Sequence, residues 1–179
     1  DVSKNVIARY TAKEVYEFAN AWAKSYDGEL AKLLENKEYA LKIFGIEREN
    51  SKKPRKDISK WSEVKNNIIY MFERPEEYDF DKISRNDAKK VIEEYLKVYN
   101  FEDSKEDWFN KIKDVAEKLG YAREVKEYKN NPENWPGHVG DISTVIRVAL
   151  TGRRNTPDMY EIMQVLGKEE VINRLKSIL

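Results

Sequence analysis

Cysteine is absent from this sequence of 179 residues, and histidine occurs only once, at His138. Disulfide bonds, thiolate metal sites and histidine-rich zinc sites are therefore excluded. The sequence also contains no Walker-type phosphate loop, no GxSxG turn and no HExxH motif. No apolar run approaches the length of a membrane span, and the first ten residues carry no signal-peptide core, which predicts a cytoplasmic protein.

The chain has no excess of charge of either sign. Lys and Arg number 33, Asp and Glu also number 33, and the net charge is zero. No overall positive field therefore favours nucleic acid, and any such site must come from local clustering. Apolar residues make up 40% of the chain and charged residues 37%, so it can bury a core while keeping much solvated surface. The first residue is Asp rather than Met, which suggests a piece of a longer protein or a processed or trimmed chain.

Hydrophobic periodicity predicts an all-α fold, because apolar residues recur at helical spacing and strand signals are missing. We expect roughly seven to nine helices in two consecutive helical bundles. The predicted domains are 1–80 and 81–179, with an acidic linker at 73–81. Residues 1–10 should be extended, and 121–140 should be a long irregular connection. Capping patterns predict helix starts after Thr11, Ser84 and Ser104.

The stretch 140–179 reads as three short helices. The first should run from Ile142 to Thr151 and end at Gly152. The second should begin at Thr156-Pro157-Asp158, with Thr156 as cap and Pro157 in the first turn. A helix start beside guanidinium groups is a plausible anion site. From spacing alone, however, arginines in such a turn are more often solvated. The arginines around this break are Arg147, Arg153 and Arg154.

A basic segment occupies 48–60, with six basic residues and two acidic ones. Pro54 fixes the backbone there and disfavours helix at Lys53. A solvated loop is the common meaning of such a run. The functional alternative is an edge that faces phosphates or bases, with Arg55 held by the proline before it.

Several short motifs follow one another near the C-terminus. They read IRVALTG at 146–152, TP at 156–157, VLGKE at 165–169 and RL at 174–175. Together they resemble the end of bacterial glutamyl-tRNA synthetases, which closes with a pattern like LRxALTG, TP, LLGKE and RL. The first half is similar, more loosely, to the helical bundle that follows the catalytic domain in that family. The resemblance covers essentially the whole chain.

The resemblance implies particular RNA contacts. At matching positions, the family's anticodon contacts are Arg147, Thr156, Pro157 and Met159, the last of which is usually a leucine. The family also uses an arginine of the first bundle to read the third anticodon base. Arg55 is the best match for it, and Arg48 is the alternative. Additional RNA contacts are expected at Lys53, Arg153 and Arg154.

The resemblance also implies a fragment of a class I aminoacyl-tRNA synthetase that attaches glutamate to tRNA. HIGH-like and KMSKS-like motifs are missing, so we expect no catalytic residue and no metal site in this chain. ATP, Mg²⁺ and glutamate would bind to the missing catalytic domain. The expected partner is tRNA-Glu, recognition of tRNA-Gln is left open, and the chain is expected to be a monomer.

Two other functions are compatible with a helical chain of this composition. One is a protein-interaction module without RNA binding. The other is a stand-alone hydrolase or transferase, which is the weakest hypothesis because the sequence offers neither a cysteine nor a pair of histidines.

Overall fold

The computed structural model describes residues 2–179 and the side chains from residue 3 onward. Within this range there are eleven α-helices, three single-turn 3₁₀ helices and no strand, apart from one bridge between Ala122 and His138. The all-α prediction is confirmed, but the predicted number of helices was too low, because three of the helices have only six residues and one has five. None of the described helices is both long and apolar enough to cross a membrane. The helices are α1 Val2–Ile7, α2 Ala12–Tyr26, α3 Gly28–Leu33, α4 Lys37–Gly45, α5 Val64–Ile68, α6 Arg85–Val98, α7 Lys105–Lys118, α8 Val125–Asn130, α9 Val139–Thr151, α10 Met159–Leu166 and α11 Lys168–Lys176.

The chain forms two compact units. Unit 1 comprises Asp1–Glu73 and Pro157–Val165, and unit 2 comprises Arg74–Thr156 and Leu166–Leu179. These units differ from the predicted domains 1–80 and 81–179 in two places. Residues 74–80 group with unit 2, and the segment of α10 groups with unit 1. Unit 1 is therefore built from two separate stretches of sequence.

Unit 1 is centred on α2, which packs against α3 and α4. The predicted capping box at the start of α2 is confirmed, since the Thr11 hydroxyl accepts from the Glu14 amide at 3.1 Å and the Glu14 carboxylate accepts from the Thr11 amide at 3.2 Å. The prediction of an extended segment at 1–10 was wrong for 2–7, which form α1. The aliphatic core of this unit includes Val15, Leu30, Leu34, Ile43, Val64 and Ile68.

Unit 2 is built from α6, α7, α9 and α11, which pack against one another. The predicted caps at Ser84 and Ser104 are confirmed, because each hydroxyl accepts at 3.1 Å from the amide three residues later. The segment 121–140, predicted to be irregular, contains α8 and starts α9 three residues before the predicted Ile142. His138 caps α9 by accepting from the Gly140 amide at 2.9 Å, so this residue has a structural role.

Candidate nucleic-acid interface

Arg147 lies on the last turns of α9 in unit 2, with its side chain half-buried. Its neighbours Val145, Ile146 and Val148 are buried in the core, so the helix holds the arginine at a fixed position. The Nη1 atom of Arg147 donates to the Thr156 hydroxyl. A guanidinium held in this way keeps a defined orientation, which lowers the entropy lost when it binds a partner.

Thr156 does not cap α10, contrary to the prediction. It is 7% exposed, and its hydroxyl serves Arg147. The cap is Asp158, whose carboxylate accepts from the Glu161 amide at 2.9 Å, so the helix begins at Met159. The sequence offers two capping residues two positions apart, and the structure uses the second, Asp158. Thr156 therefore fixes Arg147, and its predicted RNA contact remains a prediction.

The end of α9 is closed by a left-handed Gly152, as predicted. Its φ is 69°, and a Cβ at this position would lie 3.0 Å from the Pro75 Cβ, so any side chain would be strained there. The Thr151 hydroxyl accepts from the Arg153 amide at 3.1 Å and orders the turn. The turn lies against the segment around Pro75 within unit 2.

Arg153 and Arg154 differ in their surroundings. Arg153 is half-buried, whereas Arg154 is exposed. The Arg154 Nη1 lies 3.0 Å from Asp81 Oδ1, and its Nε lies 3.8 Å from Asp79 Oδ2. These are surface ion pairs, which contribute little to stability and exchange readily with other anions. Arg154 is thus suited to a phosphate contact more than to base reading.

Arg174 of the RL motif is a structural residue that the sequence could not separate from a surface arginine. It is 2% exposed, and its Nη1 donates to the Leu150 carbonyl at 2.7 Å. That carbonyl lies in the last turn of α9, where carbonyls lack partners within the helix. The Arg174 Nε also lies 3.6 Å from Glu170 Oε2. The guanidinium therefore stabilises the end of the helix that carries Arg147.

Arg48 in unit 1 has the same structural role. It is 8% exposed, and its Nε donates to the Phe44 carbonyl at 2.8 Å, near the end of α4. Its Nη1 donates to the carbonyls of Ile7 at 2.9 Å and Tyr10 at 3.4 Å. Burial lowers the pKa of this guanidinium, an effect partly opposed by nearby carboxylates. These contacts make Arg48 a poor candidate for reading a base.

Arg55 lies nearer the surface, with about a third of its side chain exposed (31%). Its Nε donates to Asp57 Oδ2 at 3.1 Å. The four lysines of the basic segment (Lys52, Lys53, Lys56 and Lys60) are exposed, as expected for a solvated positive surface. Of the two acids in the segment, Glu49 accepts from the Ala12 amide at 2.6 Å. Both acids are thus engaged by other groups, and the lysines flank Arg55 in the sequence.

Arg55 and Pro157 line the same small pocket of ≈ 40 Å³ in unit 1, although they are far apart in sequence. Apolar side chains, including Ile46 and Ile58, form much of the rest of its lining. Met159, two residues after Pro157, is 3% exposed and packs inside the unit. The structure therefore brings together Arg48, Arg55 and Pro157 of the predicted contacts, and it buries Met159.

Glu47 connects these two segments, and no sequence pattern indicated it. Its Oε2 accepts from the Asp158 amide at 3.0 Å, and its carbonyl accepts from the Arg55 amide at 3.1 Å. Two carboxylates, those of Glu47 and Asp158, therefore occupy amides at the start of α10. Negative groups are favourable there because of the helix dipole, and they make this helix start a poor site for a further anion.

Comparison with known proteins identifies two levels of similarity. Residues 137–179 match the family model described as an anticodon binding domain. The chain is also similar along its length to bacterial proteins named glutamate–tRNA ligase. That of Clostridium perfringens (strain SM101) is 44% identical over 191 aligned residues, covering 100% of this chain and 34% of the relative.

Two further relatives carry the same name. That of Acetivibrio thermocellus is 43% identical over 100% of this chain and 33% of its own length. That of Sorangium cellulosum is 40% identical over 99% of this chain and 32% of its own length. The chain thus spans about a third of the length of the curated relatives that it matches. The predicted family and the predicted anticodon-binding region are confirmed by these matches.

Proposed function

We propose that this chain, which belongs to the anticodon-binding region of the bacterial glutamyl-tRNA synthetase family, binds the anticodon arm of tRNA-Glu. The parent enzyme would then attach glutamate to that tRNA in an ATP-dependent reaction. The observation that carries the proposal is the placement of Arg147. It lies inside the segment that matches the anticodon binding domain, on a buried helix, with its orientation fixed by Thr156.

An anticodon loop presents unstacked bases, whose edges a planar guanidinium can recognise with two parallel hydrogen bonds. Among the predicted contacts assigned to bases, Arg147 in unit 2 and Arg55 in unit 1 supply such groups at or near the surface. We assign the reading of the third anticodon base to Arg55 rather than Arg48, because Arg48 is buried and bonded to three carbonyls. The lysines around Arg55, together with Arg153 and Arg154, would supply phosphate contacts.

The remaining requirements of the reaction would be met by the rest of the parent enzyme. We expect ATP, Mg²⁺ and glutamate to bind there, and this chain alone to be inactive in aminoacylation. We also propose that the chain acts as a monomer in the cytoplasm, where its tRNA partner is found. Zero net charge agrees with a discriminating module whose bulk phosphate affinity is shared with other parts of the enzyme.

The test is a fluorescence anisotropy titration with anticodon stem-loops of tRNA-Glu, of tRNA-Gln and of an unrelated tRNA. Replacing Arg147 or Arg55 by Ala should weaken binding of the tRNA-Glu loop by about 1–3 kcal/mol, the usual value for a base-edge contact. Repeating the titrations at several salt concentrations separates base reading from phosphate attraction, because only the latter falls steeply with salt.

Arg123→Ala is the matched control. This arginine is also in unit 2 and pairs with Asp114 and Glu117 at the surface, outside the proposed contacts. Its loss should leave affinity unchanged. If all three loops bind the unaltered chain alike, the proposal fails, and a helical protein-interaction module becomes the better explanation. Equal binding of the tRNA-Glu and tRNA-Gln loops alone would show that the parent enzyme accepts both.

A further inference from the structure

Glu47 has a backbone conformation that residues other than glycine rarely adopt. Its φ is 49°, in the left-handed region, and across residues 2–179 only Asp81 is another non-glycine residue with positive φ. Such a conformation persists only where surrounding contacts impose it, and it is found disproportionately at functional sites. Glu47 lies between the end of α4 and the basic segment.

Three hydrogen bonds surround Glu47, and all of them lie within unit 1. Its carbonyl accepts from the Arg55 amide at 3.1 Å, and its Oε2 accepts from the Asp158 amide at 3.0 Å. Its own amide donates weakly to Glu161 Oε1, at 3.5 Å. One residue is thus bonded to the backbone of the basic segment and to the first turn of α10, which is 111 positions away in the sequence.

These bonds relate two of the predicted anticodon contacts to each other. Arg55 is held through its own amide, and Pro157 immediately precedes the amide that Glu47 binds. Both side chains line the same pocket. We propose that Glu47 is a positioning residue that sets the placement of Arg55 relative to Pro157 and thereby the discrimination of the anticodon base that Arg55 reads. This inference rests on the proposed function.

A purely structural role would make Glu47 a cap that stabilises α10 without affecting base choice. The two roles are separated by the ratio of affinities for stem-loops that differ only in the third anticodon base. Glu47→Gly accepts the positive φ and removes the carboxylate. Glu47→Gln keeps a side-chain carbonyl that can accept from the Asp158 amide. Glu49→Gly is the matched control, because this neighbouring glutamate also accepts from a backbone amide, but that amide lies at the start of α2.

We expect Glu47→Gly to reduce the affinity ratio about tenfold or more, since the discrimination of a base-edge contact is of that size. Glu47→Gln and Glu49→Gly should leave the ratio within about twofold of the unaltered chain, as for substitutions without a specific effect. Amide hydrogen exchange provides an independent readout, because Asp158 should lose protection in Glu47→Gly and keep it in Glu47→Gln.

A folded Glu47→Gly chain with an unchanged ratio would overturn the inference while leaving the proposed function intact. An unaltered chain that binds loops differing in the third anticodon base alike would overturn this inference alone, whereas one that also binds the unrelated loop equally would overturn the proposed function with it. If Glu47→Gly does not fold, Glu47→Asp replaces it, since the carboxylate is then withdrawn by one methylene from the Asp158 amide. In that case an unchanged ratio for Glu47→Asp would overturn the inference.

Discussion

Each unit contains one arginine that stabilises the fold and another that lies closer to solvent. In unit 1 these are Arg48 and Arg55, and in unit 2 they are Arg174 and Arg147. Both structural arginines donate to carbonyls near the ends of helices, where the helix leaves acceptors without partners. The comparison teaches that a nearby helix end, rather than local charge, decides which arginine becomes buried.

The two arginines nearer the surface are held by different partners. Arg55 forms an ion pair with Asp57 at 3.1 Å, whereas Arg147 donates to the neutral hydroxyl of Thr156. Binding an RNA base through Arg55 must compete with a carboxylate, while the hydroxyl beside Arg147 does not neutralise its charge. An RNA base that binds Arg55 therefore competes with a charged acceptor, and one that binds Arg147 competes with the Thr156 hydroxyl.

The largest effect should come from Arg48→Ala. It removes donors from two carbonyls in buried hydrogen bonds, those of Phe44 and Ile7, and each unpaired acceptor costs about 1–3 kcal/mol. Urea denaturation should show this loss, with the exposed Lys52→Ala as control. Should Arg48→Ala instead leave stability unchanged and weaken stem-loop binding, the roles assigned to Arg48 and Arg55 would be reversed.

Arg174→Ala should have a somewhat smaller effect on stability, because one buried carbonyl, that of Leu150, loses its donor. We expect a loss of about 1–3 kcal/mol in the free energy of unfolding. The exposed Lys176 lies on the same helix, and Lys176→Ala should be nearly neutral. Equal stability of the two variants in denaturant titrations would show that Arg174 is not the unit 2 counterpart of Arg48.

Arg154→Ala tests whether an exposed arginine other than Arg55 and Arg147 also reads a base. Since Arg154 is paired with Asp79 and Asp81 at the surface, we expect a weak and uniform loss of affinity for all stem-loops. The slope of log affinity against log salt should fall by about 1 if one phosphate contact is lost. A loss confined to the tRNA-Glu loop would contradict this and place Arg154 among the base readers.

The smallest effect concerns pH. The hydrogen bonds from Arg74, at 2.8 Å and 3.0 Å, are the main cause that holds the pKa of Glu170 below its ordinary value. A carboxyl with a lowered folded-state pKa adds stability above its ordinary pKa, and this contribution disappears as pH falls through the folded-state value. Thermal unfolding from about pH 6 to about pH 3 should therefore show a shallower decline in Arg74→Ala. The stability of Lys168→Ala should decline with falling pH as it does in the unaltered chain. If the stability of Arg74→Ala declined just as steeply, Arg74 would not be the cause of the lowered Glu170 pKa.

Short-range chemistry explains what the sequence could predict. The caps at Thr11, Ser84 and Ser104 involve residues three positions apart, and the end of α9 needs only Gly152. The buried stripes of the longer helices follow directly from their spacing. These features depend on neighbours along the chain, so a single sequence contains them.

The remaining features depend on partners that are distant in sequence. Local sequence distinguishes Arg48 from Arg55 only in part, because Arg48 donates to the carbonyls of Ile7 and Tyr10 as well as to the nearby Phe44 carbonyl. The Thr156 hydroxyl accepts from Arg147, nine positions away, and Asp158 caps α10. Spacing rules describe single helices, and they do not register such contacts between segments.

The divided sequence of unit 1 has a consequence for synthesis on the ribosome. Its first stretch is complete at Glu73, but its last helix, α10, ends at Leu166. The amide that Glu47 binds belongs to Asp158, so this hydrogen bond can form only after more than a hundred further residues have been translated. Domains usually fold as they emerge, N-terminal part first. Here unit 1 cannot reach its final form until translation has passed α10, and with it most of unit 2.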